Sequence, residues 1–164
     1  QNYTSAPELI RYLAYTAGRN ANLLLNVGPQ PNGRIPAAAL ERLAIMGEWL
    51  SKNGESIYDT RATLVSPQPW GVVTHSKSVT KDGYPSVLYL HVFPNDLASS
   101  KSGVAVDGGI RIFVPCDGIP KVHSVVSLED GTSIPFRRCP EGLFVTIPPA
   151  MLDDTPNCVI KVEM

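Results

Sequence analysis

Few side chains in this sequence stand where they could do chemistry. His75, His91 and His123 fall in stretches that read as strands and could meet across a sheet, but their spacing fits no metal-ligand signature. An isolated strand histidine is more often a surface or hydrogen-bonded residue, and no metal site is expected. Asp153-Asp154 and the pair Glu41 and Glu48 come nearest to an acid/base couple. Adjacent aspartates point apart, however, and the glutamates fall on the solvent face of a helix. Trp49 and Trp70 could stack on sugar rings, yet one sits inside an amphipathic helix and the other at a junction between halves, so packing is their default role. Cys116, Cys139 and Cys158 are odd in number, far apart and without CxxC spacing. No nucleophile stands beside a base in a recognisable motif, and no cofactor is implied.

Two asparagines remain, and their setting is more informative. Asn22 and Asn26 belong to Asn-Leu-Leu-Leu-Asn-Val-Gly-Pro, a run too short for a helix before Gly28-Pro29. It reads as a buried strand over residues 22–27, with Asn22, Leu24 and Asn26 on one face and Leu23, Leu25 and Val27 on the other. Before it, Ser5-Ala-Pro-Glu provides a capping box with Pro7 in the first turn. Leu9, Tyr12, Leu13 and Thr16 then mark a helical face, and Gly18 ends it. After the turn Pro31-Asn-Gly33, a second helix is expected from about Pro36 to Asn53, with a stripe through Leu40, Leu43, Ala44, Gly47 and Leu50. Helix, buried strand, helix is an α/β pattern. A strand covered on both faces needs neighbours on both edges to pair its backbone, so this pattern reads as part of a larger domain.

The texture changes near residues 62–69. Beyond Trp70, β-rich stretches recur at 71–75, 87–93, 110–114, 122–128, 143–147 and 157–162. They are separated by Asp82-Gly83, Asp107-Gly108-Gly109, Asp117-Gly118 and Asp130-Gly131, which are turn signals. Their even spacing predicts an antiparallel sandwich, and the Ser/Lys/Gly-rich stretch 98–103 reads as a loop. The expected organisation is an α/β segment over 1–61, a linker over 62–69 and an all-β sandwich over 70–164.

The run from Gly18 to Gly33, Gly-Arg-Asn-Ala-Asn-Leu-Leu-Leu-Asn-Val-Gly-Pro-Gln-Pro-Asn-Gly, closely resembles a segment of the α-L-fucosidases of glycoside hydrolase family 29. Ile35-Pro36, Glu41-Arg42-Leu43, Gly47-Glu48-Trp49-Leu50, Asn53-Gly54-Glu55, Ile57-Tyr58 and Thr60-Arg61 extend the likeness. Asn32 stands for the family's usual Asp and Ala21 for its Gly, and both keep plausible turn geometry. The resemblance implies the last strand and helices of a TIM-like (β/α)8 catalytic barrel, followed by a C-terminal β-sandwich. It implies retaining hydrolysis of terminal α-L-fucose by two carboxylates that lie upstream of this segment, so no catalytic residue maps onto it. Residues 26–29 would lie at the strand end where barrel active sites sit, which makes Asn26, and with it Asn22, the expected active-site neighbours. A buried amide there could support a catalytic or sugar-binding group, or simply satisfy backbone groups inside the barrel.

Charge and hydropathy bound the partners. Lys and Arg number 14 against 15 Asp and Glu, for a net charge of −1, and no basic run exceeds Arg137-Arg138. That is not a nucleic-acid footprint and leaves a neutral sugar as a compatible ligand. No apolar run is long enough to span a bilayer. Asn2-Tyr3-Thr4 fits a glycosylation sequon. The resemblance implies a fucosylated glycan or fucoside as substrate, the rest of the barrel as partner, and an exported protein, whether periplasmic, lysosomal or extracellular. The competing reading is a non-catalytic carbohydrate-binding or interaction module, which needs an aromatic platform on one sheet face. Tyr89, Phe93, Phe113 and Phe144 are its candidates.

Overall fold

The structure, a computed structural model, describes residues 3–164. Asn2 of the sequon lies outside the described residues. The first helix, α1 (Ala6–Ala17), starts as its sequence dictates: the Ser5 hydroxyl accepts from the Glu8 N–H at 3.4 Å, and the Glu8 carboxylate accepts from the Ser5 N–H at 3.1 Å. The second, α2 (Ala37–Asn53), follows Pro36 and runs into a single 3-10 turn at Gly54–Ser56.

Nine strands follow: β1 (Thr60–Arg61), β2 (Gly71–Ser76), β3 (Val87–Val92), β4 (Val104–Val106), β5 (Gly109–Pro115), β6 (Ser124–Ser127), β7 (Phe136–Cys139), β8 (Gly142–Ile147) and β9 (Cys158–Glu163). They form two antiparallel sheets, one ordered β1-β2-β3-β9-β6 and the other β4-β5-β8-β7. Six of the strands were legible as β-rich stretches. The short strands β1, β4 and β7 were not, nor was the short helix α3 (Pro94–Ser100), which takes in part of the expected loop at 98–103. The turn dipeptides serve two different uses. Asp107-Gly108 closes the β4–β5 hairpin, whereas Asp117-Gly118 and Asp130-Gly131 lie where the chain crosses from one sheet to the other.

Period-2 alternation sets the layers. Val73, Leu88, Leu90, Val92, Ile160 and Val162 of the five-stranded sheet face Ile112, Val114, Leu143, Val145 and Ile147 of the other, making the sandwich core. The opposite face of the five-stranded sheet is also covered, which is why β2 and β3 are buried along nearly their whole length. There Ile10 of α1 and Met46 and Trp49 of α2 pack on Tyr89 and Val159, while Ala14 packs with Val72 and Phe93. Gly18 comes so close that a Cβ there would sit 2.3 Å from the Val72 Cβ, so the helix end meets the sheet without room for a side chain. Polar contacts fix the same interface: the Tyr89 hydroxyl donates to Glu55 at 2.7 Å, and Lys161 pairs with Glu55 at 2.8 Å.

Two expectations change. The stripe expected on α2 meets the sheet only in part: Leu50 packs against the docked cluster and Leu43 is half-buried, but Ala39, Met46, Trp49 and Asn53 are the buried residues, whereas Leu40, Ala44 and Gly47 are exposed. On α1, Leu9 and Leu13 of the expected face do pack toward the sheet, but Ala6, Ile10 and Ala14 are the most buried residues and Tyr12 turns outward. Each helix carries more apolar surface than one contact face uses, and the docking angle on the sheet decides which part of it is buried. Residues 22–27, read as a buried strand, belong to neither sheet. They run alongside the helices without strand partners.

Candidate functional site

The asparagine segment is the natural place to build a site. Residues 22–29 make no backbone hydrogen bond to any other described residue, whereas the turn that follows is closed by Gly33 N–H to Gln30 O and Gln30 N–H to Arg34 O, both 2.8 Å. The side chain of Asn32 accepts from the Arg34 N–H at 3.0 Å, the turn chemistry expected of that residue type. Leu24 is 83 % exposed, and Leu25 and Asn26 are exposed beside it.

Asn26 borders a cleft of about 240 Å³ between this segment and the two helices, lined also by Thr4, Leu9, Gly28, Arg42 and Leu43. Arg42 is its charged member. Its guanidinium donates to Thr4 O at 2.8 Å and Ala38 O at 2.7 Å and lies over the Tyr3 ring, 5.2 Å from the centroid. Sequence reading gave Arg42 no part in a site, because an arginine inside a helix looks like any solvated charge. Asn22 borders a different cleft, of about 290 Å³, with Leu13, Thr16, Ile57, Thr60 and Arg61. The two asparagines are therefore not brought together in one cavity.

The other suggestive residues disperse. His75 meets Thr63 Oγ1 at 3.2 Å and Ser76 O at 2.9 Å. His91 is fully buried between Thr74 Oγ1 at 3.1 Å and the Asn157 amide nitrogen at 3.0 Å, and burial pushes its pKa down to about 4. His123 is exposed ahead of β6. Among the described residues no group of His, Cys, Asp and Glu is arranged to hold a metal ion.

Glu129, Asp130 and Asp153 share a cleft with Asn53 and Asn157. Glu129 is engaged by Lys52 at 2.7 Å, and the Thr132 N–H holds the Asp130 carboxyl below its ordinary range. A glycosidase acid needs the opposite shift from that of Asp130. Trp49 and Trp70 are packed, as expected, and the Trp70 indole donates to Phe113 O at 3.1 Å.

A family model described as Alpha-L-fucosidase matches residues 1–55, the part of the chain that holds α1, α2 and the asparagine segment. An α-L-fucosidase of Dictyostelium discoideum is 42 % identical over 165 residues, a match that takes in 96 % of this chain and 32 % of that protein. The chain belongs to the α-L-fucosidase family. The plasma α-L-fucosidase of Rattus norvegicus is 40 % identical over 74 residues, covering 42 % of this chain and 16 % of that enzyme. The solved α-L-fucosidase isoenzyme 1 of Paenibacillus thiaminolyticus superposes with a TM-score of 0.73 at 29 % identity, over 99 % of this chain and 35 % of that one. The chain thus spans about a third or less of the length of these fucosidases. Its two antiparallel sheets and flanking helices match the C-terminal region of the family fold.

Proposed function

We propose that this chain is the C-terminal part of a retaining α-L-fucosidase that removes terminal α-L-fucose from glycans. Residues 1–61 then form the end of its catalytic barrel, 62–69 a linker and 70–164 the supporting β-sandwich. One observation carries the reading: residues 22–29 are leucine-rich, largely exposed and without backbone partners among the described residues, yet line a cleft with α1 and α2. Backbone N–H and C=O groups flanked by leucines call for pairing on both sides. Strands supplied by the rest of the barrel meet that demand, and the segment becomes the last barrel strand. In this arrangement Asn26 sits at the strand end that faces the active site, with Asn22 deeper in the barrel, and both support neighbouring groups through their amides. The two carboxylates that form and break the glycosyl bond come from upstream strands. The plasma location in the name of the rat relative supports export of the whole enzyme. No helix among the described residues is long and apolar enough to cross a membrane.

The test is hydrolysis of an aryl α-L-fucoside by this chain alone and by the chain extended upstream with its native barrel. The expected result is turnover only in the extended form. Turnover by the short chain would overturn the placement of the carboxylates. Turnover by neither would overturn the fucosidase reading.

A further inference from the structure

The two faces of the sandwich are treated differently. The five-stranded sheet is covered by α1 and α2, while among the described residues no helix lies on the outer face of β4-β5-β8-β7. Alternation and register decide what that bare face displays. Phe113 on β5 stands opposite Phe144 on β8, which stands opposite Arg137 on β7. In the adjacent row, Val104, Arg111 and Thr146 are opposite one another across β4, β5 and β8. The rings of Phe113 and Phe144 meet at 4.9 Å, and the Arg137 guanidinium lies 5.2 Å over the Phe144 ring. Arg111 donates its Nε–H to Thr146 Oγ1 at 3.3 Å. Both guanidinium groups are thus held in place by the sheet with donors to spare.

Neither arginine is within ion-pair distance of a carboxylate among the described residues. The outward strand positions include no Asp or Glu, and the nearest acids in sequence, Asp107 and Glu141, stand in the turns at opposite ends of the face. Phe144 of β8 lies between β5 and β7, and Arg111 of β5 between β4 and β8, so at these rows the backbone is already paired on both sides and a partner meets side chains there, not an open strand edge. The occupant must bring its own flat apolar surface and its own anionic groups. We propose that this face binds an acidic saccharide, one bearing sulfate or uronate groups. The apolar side of a sugar ring meets the exposed rim of the Phe113–Phe144 pair, whose rings are tilted 42° to each other, and the acid groups meet the forks of Arg111 and of Arg137, which lies over the Phe144 ring. The proposal does not rest on the catalytic reading.

The probe is a heparin-derived hexasaccharide, titrated calorimetrically into the protein at low and at physiological ionic strength. Binding is expected at low salt and weakening as salt rises. Replacing Arg111→Gln and Arg137→Gln together should lower the affinity by tenfold or more, about one charge-assisted contact's worth. Phe144→Ala should lower it by roughly threefold or more through loss of the stacking floor. The control pair Arg19→Gln and Arg61→Gln removes the same charge on the helix side and should leave affinity unchanged; circular dichroism checks that each variant is folded. Absence of binding at low salt, an equal loss in the control pair, or equal binding of the fully desulfated, carboxyl-reduced saccharide would each overturn the proposal. So would concentration-dependent dimerisation abolished by the same arginine substitutions, which would make the face a contact between copies.

Discussion

His91 sits where protonation cannot be tolerated. Thr74 Oγ1 donates to Ser56 O at 2.7 Å, so it accepts from His91 Nε2–H, while Nδ1 accepts from the Asn157 amide. A proton added at Nδ1 would turn an acceptor toward a donor inside a dry interface, and burial accordingly lowers the pKa from 6.5 to about 4. Because the folded-state value is depressed, the unfolded chain takes up the proton first. Stability is full above pH 6.5 and is lost as pH falls through the interval to about 4, by about 3 kcal/mol in all. Urea unfolding at a series of pH values should show this slope above pH 5, before carboxylates contribute. His91→Gln should flatten it whatever its effect on absolute stability, and a slope unchanged by that substitution would rule out His91 as the source. The sequence announced a histidine on a strand, at the surface or hydrogen-bonded, and His91 is the hydrogen-bonded case. It could not announce the partners, since Thr74 and Asn157 are far from His91 in the chain and meet it only through the β2–β3–β9 register.

Elements were legible where local rules suffice and illegible where a second surface decides. The capping box of α1 and the proline start of α2 are local, and both stand as read. The buried stripe of α2 is not local. Leu40, Ala44 and Gly47 have the same helical spacing as Ala39, Met46 and Trp49, and periodicity cannot say which stripe meets the sandwich. The consequence is measurable in the chain alone. Trp49→Ala should cost about 3–5 kcal/mol by emptying the space between Ile10, Tyr89 and Val159. Leu40→Ala, at a side chain 51 % exposed, should stay within about 0.5 kcal/mol. Chemical denaturation of the two variants settles which face is docked. Short edge strands failed for the same reason as the stripe: β7 is Phe-Arg-Arg-Cys, with no alternation of its own, and is a strand only because β8 lies beside it.

At the scale of the molecule, one segment obeys strand rules without a sheet. Residues 22–27 show the composition of a central barrel strand and have no partner among the described residues, so their sequence and their surroundings disagree. If the disagreement is resolved by an upstream barrel, a single substitution should behave differently in the two settings. Leu24→Asp replaces a side chain that is 83 % exposed, so the chain alone should lose no more than about 0.5 kcal/mol and should also self-associate less, because a charge blunts an unpaired strand. In the chain extended with its barrel, the same carboxylate would lie inside the barrel, on the face that Leu24 shares with Asn22 and Asn26, without a partner, and should cost about 3–5 kcal/mol, with fucosidase activity falling in step with the folded fraction. Urea unfolding of the two forms compares them directly. A small effect in both would mean that the leucines never enter a sheet. A large effect in both would mean that Leu24 is already buried in the isolated chain. Only the split response is what a strand awaiting its neighbours predicts.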